Sequence, residues 1–519
     1  MSFRTILTGL MLLVSVTLTS CAVNPVTGRN EISLVSEAQE RAIGEQQYGP
    51  SAQSQGGEFS IDPVLTEYVN TVGQRIAAVS DRPLDYEFIV LNNSVPNAWA
   101  LPGGKIAVNR GLLTELTNEA ELAAVLGHEV VHAAARHGAQ AMTRGTLLQG
   151  ALAVGAIALN DNEYADYIVG ASQLGAQLIS QRYGRDDERE ADYYGIQYMV
   201  RAGYDPAAAV SLQETFVRLS EGRSQGWIDG LFSSHPPSRE RVENNQALVN
   251  ELRPELAGRD MELGELRYQQ AMAFLEENSE AYALFDEAER AIADDDLDIA
   301  LLNLDAAIDM VDEPRFLGLK GDILLYQENY RNAVDNYNDA ILKDDSYYDY
   351  YLGRGVAYAR LGDRSRARTD LEHSARLLPT AIAMNELGKL ALVENDRPLA
   401  KQYFQEAAGA QGRVGQEASI NFIRLDLADN PGNYLAVQTF ATDNGNIYAR
   451  VSNNSGLDLQ AVRIDFAAVL GDRLGRQSRQ VDSLAAGSYV DVNSGMRFPE
   501  NQIWSSDQMQ AQVTSARAQ

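Results

Sequence analysis

Three of the five histidines in this 519-residue chain fall within residues 124–138, AVLGHEVVHAAARHG. On a helix, His128 and His132 lie roughly 40° apart around the axis, so both imidazoles project from one face. Glu129 sits beside them, a carboxylate placed to take a proton from water. Two imidazoles and a neighbouring carboxylate at this spacing form half of a hydrolytic metal site. His137 follows His132 at roughly 140° further round the same helix and reads as a surface or packing histidine outside the set.

A catalytic zinc generally takes three protein ligands and keeps one position open, so a further ligand must come from another segment. The acidic block GRDDEREADYYG (184–195) supplies it. Glu188 and Asp192 are spaced to share one helical face. Glu188 is the third ligand in this reading, and the expected content is one Zn2+ per chain. Asp192 either orients a ligand histidine through its second ring N–H or donates a proton late in the reaction. An oxyanion also needs a donor, for which His235 and Tyr193 are the candidates. In Ser234-His235-Pro236-Pro237 the prolines stiffen the loop. His235 is then an oxyanion donor, a fourth ligand closing the metal at rest, or part of a structural turn into the helix SRERVENN.

These residues need elements to hold them. A helix near 64–79 precedes a strand, DYEFIVLNN, and a hairpin in ALPGGKIAVNRGLL turning at Gly103-Gly104. Substrate would lie extended along the edge of the 99–110 hairpin. The apolar stretches 147–159 and 167–179 are rich in Gly and Ala and too short to span a bilayer, so close helix packing is expected there.

Residues 275–412 repeat. From Gly321, the residues at +12, +16 and +19 are Ala333, Tyr337 and Ala340. From Gly355 they are Ala367, Leu371 and Ser374; from Gly388, Ala400, Phe404 and Ala407; from Ala288, Ala300, Leu304 and Ala307. A period near 34 residues with small residues in fixed phase is the tetratricopeptide signature, a stack of helical hairpins with a concave face suited to peptides or partner proteins. After residue 430, short alternating runs separated by Asn, Gly and Asp point to a small antiparallel β-sandwich.

The amino terminus carries Arg4 and then the apolar run LTGLMLLVSVTLTS, laid out as a secretory signal. It ends in Leu18-Thr19-Ser20-Cys21, and Cys21 is the only cysteine, which leaves none for a disulfide. The formal net charge of −29 makes nucleic acid and anionic headgroups poor partners. The expected architecture is multidomain α+β. It comprises a signal peptide at 1–20, a tether and leading helix at 21–60, and a mainly helical metallopeptidase domain at 61–255. A tetratricopeptide solenoid at 270–412 and a β-sandwich at 430–519 follow.

Leu18–Cys21 resembles the bacterial lipobox, which implies lipidation of Cys21. Ala22 stands where an aspartate would resemble an inner-membrane retention signal, so the implied address is the periplasmic inner leaflet of the outer membrane. HEVVH, then EREAD, then FSSHPPSRERV resemble the HtpX-related gluzincin zinc endopeptidases, and NAWALPGGKIAVNRGLL fits that family's strand region. Signal, peptidase and repeats in this order resemble the periplasmic BepA-like branch. The resemblance implies cleavage of unfolded or misassembled envelope proteins, with repeats that recruit clients or the outer-membrane assembly machinery. The β-sandwich and the lipobox depart from the usual pattern of that branch. A repeat-based scaffold or chaperone with little proteolysis is the alternative. A cell-wall amidase would share the zinc chemistry but not this motif order.

Overall fold

The computed structural model describes residues 21–153, 183–222, 235–500 and 502–519. The signal at 1–20, the stretch 167–179 and the end of 147–159 lie outside the described residues. No helix among the described residues is long and apolar enough to cross a membrane. The chain forms two compact units, Met1–Leu378 and Pro379–Gln519.

The first unit opens with a short antiparallel pair, β1 (Cys21–Val23) and β2 (Asn30–Ile32). Helix α1 (Glu37–Ser54) follows, with Ser36 and Gln39 forming a reciprocal cap at its start. Its buried Glu40 accepts hydrogen bonds from Arg82 (2.8 Å) and Arg136 (3.0 Å). Arg82 also donates to the carbonyl of Ala133, and Arg136 to that of Val35. The leading helix is therefore tied by buried charge to the segments that carry Arg82 and Arg136.

Helix α2 (Pro63–Ala77) buries Leu65, Val69, Val72 and Ile76, one face at helical spacing. It packs beside a three-stranded sheet of β3 (Glu87–Leu91), β4 (Ala98–Leu101) and β5 (Lys105–Asn109). The order is β3-β5-β4, with β3 parallel and β4 antiparallel to β5, so β4 is an edge. The β4–β5 turn runs through Gly103 (φ 88°) and Gly104 (φ 95°), a backbone region that disfavours side chains.

A single turn, α3 (Arg110–Leu113), leads to α4 (Glu119–Ala134), whose residues are all buried. Asn118 caps α4 by accepting from the Glu121 N–H. The helix stops at Ala135, and Arg136 turns left-handed at φ 65° before α5 (His137–Ala153) begins. Helices α6 (Arg185–Ala202), α7 (Ala207–Gly222) and α8 (Arg239–Leu252) complete this part.

Helix α9 (Glu265–Glu277) leads into three hairpins: α10 (Ser279–Ala293) with α11 (Leu297–Met310), α12 (Pro314–Tyr326) with α13 (Tyr330–Lys343), and α14 (Tyr348–Arg360) with α15 (Arg364–Leu377). The repeat positions read from the sequence are buried in each of them. Buried Glu313 pins the repeats to the segment after β3 by accepting from Asn92 (3.1 Å) and Tyr282 (2.8 Å). Arg110 completes this junction, donating to Asn92 and lying over the Tyr282 ring.

The second unit begins with a further hairpin, α16 (Ala381–Val393) and α17 (Arg397–Ala408), in which Gly388 faces Phe404. Helix α18 (Gly412–Asp429) follows. Then come β6 (Leu435–Ala441), β7 (Asn446–Asn453), β8 (Leu459–Leu470), β9 (Arg473–Leu484), β10 (Tyr489–Arg497) and β11 (Met509–Ala518). They form two antiparallel sheets, β10-β7-β6 and β11-β8-β9. Leu427 of α18 joins Ile447, Val451, Ile464 and Phe466 in their shared core. The division between the two units, at Leu378 and Pro379, falls between α15 and α16.

Candidate metal centre

Helices α4 and α6 cross at two glycines. A methyl group on Gly127 would lie 3.2 Å from the carbonyl oxygen of Gly195, and one on Gly195 would lie 3.1 Å from the His128 nitrogen. The backbones touch, and the next turns bring the side chains of α6 over those of α4. Glu188 and Asp192 lie four and three residues apart from each other and from Gly195, on the face that meets α4.

Four residues converge there. His128, His132, Glu188 and His235 each offer a ligand atom, and these atoms lie within 4.8 Å of one another. His128 Nε2 is 3.0 Å from His132 Nε2 and 3.2 Å from His235 Nδ1. Glu188 Oε1 is 2.9 Å from His235 Nδ1 and 3.4 Å from His132 Nε2. His128 presents its Nδ1 to Asp192 Oδ1 at 3.0 Å. An ionised carboxylate only accepts, so the proton of a neutral His128 sits on Nδ1 and its Nε2 lone pair faces the cluster. Imidazole nitrogens and one carboxylate oxygen at these separations fit a divalent transition metal.

The electrostatics match. Burial lowers the His132 pKa well below that of a free imidazole, which favours the neutral ligand form. Burial opposes charge on Glu188, but His235, His128 and the hydrogen bonds from His132 and His235 outweigh it and hold the carboxyl well below its usual range. Burial likewise opposes charge on Asp192, and Arg241 overcomes it with bonds of 2.7 Å to each carboxylate oxygen. Asp192 is held ionised beside the His128 Nδ1. Arg241 Nη1 also approaches Glu188 Oε2 to 2.9 Å, as an ion pair without the alignment of a hydrogen bond.

Glu129 is 2% exposed, and its Oε2 is buried without a hydrogen-bond partner among the described residues. Its Oε1 lies 3.6 Å from His235 Nε2. A cavity of about 40 Å³ borders His128, Glu129 and His235, with apolar walls from Val125, Leu212 and Phe216. It has room for a few waters. For His235 itself, burial lowers its pKa, but the charges of Glu188 and Glu129 more than reverse this and raise it. Tyr193 is 45% exposed with its ring edge-on to Tyr194, and is not brought into the cluster.

Three residues near the metal donors escaped sequence reasoning. Arg241 lies in the SRERV run, where nothing in the pattern separates a buried arginine from a solvated one. Tyr183 stacks on the His132 ring at 3.9 Å. His137 lies outside the four donors and is a packing histidine, not a surface one: it is 1% exposed and, nearer the cluster than its angle implied, its Nδ1 lies 2.9 Å from His132 Nδ1. The angle assigned to it assumed one continuous helix. The left-handed Arg136 breaks that helix and swings His137 back against its neighbour.

Residues 63–249 match the family model for Peptidase family M48. The chain is 31% identical over 202 residues to the Beta-barrel assembly-enhancing protease of Escherichia coli, which covers 37% of this chain and 40% of that protein. It is 34% identical over 223 residues to Mitochondrial metalloendopeptidase OMA1 of Schizosaccharomyces pombe, 42% of this chain and 63% of that one. Metalloprotease YcaL of Escherichia coli is 31% identical over 169 residues, 32% of this chain and 62% of its own length. The matched region thus spans less than two thirds of each of these relatives.

Proposed function

We propose, on the premise that residues 63–249 form a domain of peptidase family M48, that this chain is a zinc-dependent endopeptidase. The observation that carries the reading is the meeting of His128, His132 and Glu188 beside a buried, unpartnered Glu129 oxygen. A bound zinc supplies Lewis acidity, lowering the pKa of water to about 7 and polarising the scissile carbonyl. Glu129 takes the proton from the attacking water and passes it to the leaving amine. Asp192, ionised against Arg241, fixes the His128 ring. His235, its nitrogen 2.9 Å from the Glu188 carboxylate, would serve as a further zinc ligand when no substrate is bound. Substrate pairs in extended form with the edge strand β4, a mode that reads backbone more than side chains and suits unfolded protein.

The clients in this reading are misfolded or misassembled envelope proteins, and the repeats recruit them or the outer-membrane assembly machinery. The likeness to the Beta-barrel assembly-enhancing protease of Escherichia coli, together with the lipobox-like Leu18–Cys21, supports a periplasmic site of action on a lipid anchor at Cys21. A scaffold role for the repeats with little proteolysis is the second reading. Glu129 counts against it, because a silent scaffold has no use for a buried carboxylate at that point.

Glu129→Gln decides between the two. The amide cannot accept the water proton, so the variant should keep its fold and zinc and lose cleavage of casein or of an unfolded outer-membrane protein. Near-normal cleavage would remove Glu129 from the mechanism. The same variant should retain clients for identification by mass spectrometry. For the address, Cys21→Ser should move the protein from the membrane fraction to the soluble periplasm; a variant that still sediments with membranes overturns the anchor.

A further inference from the structure

The two ligand histidines are supported differently. His128 meets a carboxylate directly, Asp192. His132 meets His137, and the line continues: His137 Nε2 lies 3.3 Å from Glu190 Oε1, and Glu190 Oε1 accepts from Asn24 Nδ2 at 3.0 Å. Asn24 stands three residues beyond Cys21, in the turn between β1 and β2, and is 1% exposed.

The direction of every bond in this line is fixed at its far end. Asn24 Oδ1 accepts the backbone N–H groups of Val26 (2.9 Å) and Thr27 (3.2 Å), so its amide can only turn Nδ2 toward Glu190. The same Nδ2 donates to Glu31 Oε1 at 3.1 Å. Glu190 is then the acceptor for both Asn24 and His137, which places the His137 proton on Nε2. Its Nδ1 is bare and accepts from His132 Nδ1, which leaves His132 Nε2 as a lone pair aimed at His128 and Glu188. Each step sets the tautomer of the next. We propose that the β1–β2 turn is a built part of the metal site: Asn24, acting through Glu190 and His137, is a positioning residue for His132. Metal retention therefore depends on the segment that joins the peptidase to its amino-terminal attachment. The proposal rests on His132 being a ligand, as the peptidase reading has it.

The test measures zinc affinity of the purified full chain by competition with a chromophoric chelator. His137→Leu removes acceptor and donor together and should weaken zinc 10- to 100-fold, the usual range for a lost partner behind a ligand histidine. His137→Gln can still accept at one end and donate at the other, and should restore most of that loss. Asn24→Asp keeps the acceptor for Val26 and Thr27, and so the turn, but replaces the donor by a carboxylate facing Glu190. It should weaken zinc about tenfold. Combined with His137→Leu it should add nothing, since the line is already cut. Wild-type affinity in Asn24→Asp, additive losses in the double variant, or His137→Gln as weak as His137→Leu would each overturn the proposal. Glu188→Ala is the reference. If it too keeps zinc, the ligand assignment itself has failed; if it alone loses zinc, only the line from Asn24 has.

Discussion

Two pairs of glycines bring helices into contact in the first unit, for different ends. At Gly127 and Gly195 the backbones of α4 and α6 meet so that imidazole and carboxylate atoms from both can converge on one point. At Gly321 and Gly353 the backbones of α12 and α14 close on the Tyr337 ring, which is fully buried. The first crossing specifies atoms: each donor must be a particular nitrogen or oxygen with a particular lone pair exposed. The second specifies volume: whatever fills the gap must be a flat ring of that size, and small residues must flank it. Substitutions that conserve volume should therefore hurt the centre most, and those that conserve chemistry but add volume should hurt the repeats.

The largest effect is expected at Glu188. In the proposed reading Glu188→Ala removes a ligand and one of the carboxylates beside Arg241, so the purified protein should lose most of its zinc and its proteolysis. Full zinc occupancy by metal analysis would sink the assignment and, with it, the claim that this crossing exists to gather donors. His235→Ala comes next. Among four converging donors it is the one carried on a proline-stiffened loop, and its removal should open the fourth position and raise cleavage of unfolded protein. A fall on the order of a hundredfold would instead make it an oxyanion donor. An unchanged rate would leave only a structural turn.

The same contrast explains what could be read from the sequence. Volume repeats, so the tetratricopeptide positions stood out by period alone; Gly321, Ala333, Tyr337 and Ala340 are buried as their phase implied. Chemistry that rests on local helical spacing was also legible: His128, Glu129 and His132 on one helix, Glu188 and Asp192 on another. What was not legible depends on the chain's leaving its local pattern. His137 was misplaced because a non-glycine residue, Arg136, takes a left-handed turn that buried Glu40 stabilises from a distant helix. Arg241 meets Asp192 from 49 residues along the chain and Asn24 meets Glu190 from 166, and no spacing rule connects them.

The smallest effect tests the volume side. A methyl group at Gly353 would lie 2.3 Å from Tyr337 Cζ and hydroxyl, inside any real contact distance, and the ring is held by Gly321 and by its hydroxyl donating to Asp322 at 2.6 Å. Overpacking of this kind typically costs about 1–3 kcal/mol. Alanine also favours a helix interior over glycine by about 1 kcal/mol, which offsets part of that. Gly353→Ala should therefore lower the stability of the first unit by about 1–2 kcal/mol, read as a drop in the corresponding calorimetric transition. Tyr337→Phe in the same background removes the clashing hydroxyl and should recover part of the drop. Casein cleavage below the transition should match the parent, because no atom of the metal centre has moved. A variant as stable as the parent would mean that the helices can part to admit a methyl, and volume would then be no stricter a requirement in the repeats than it is elsewhere in the core.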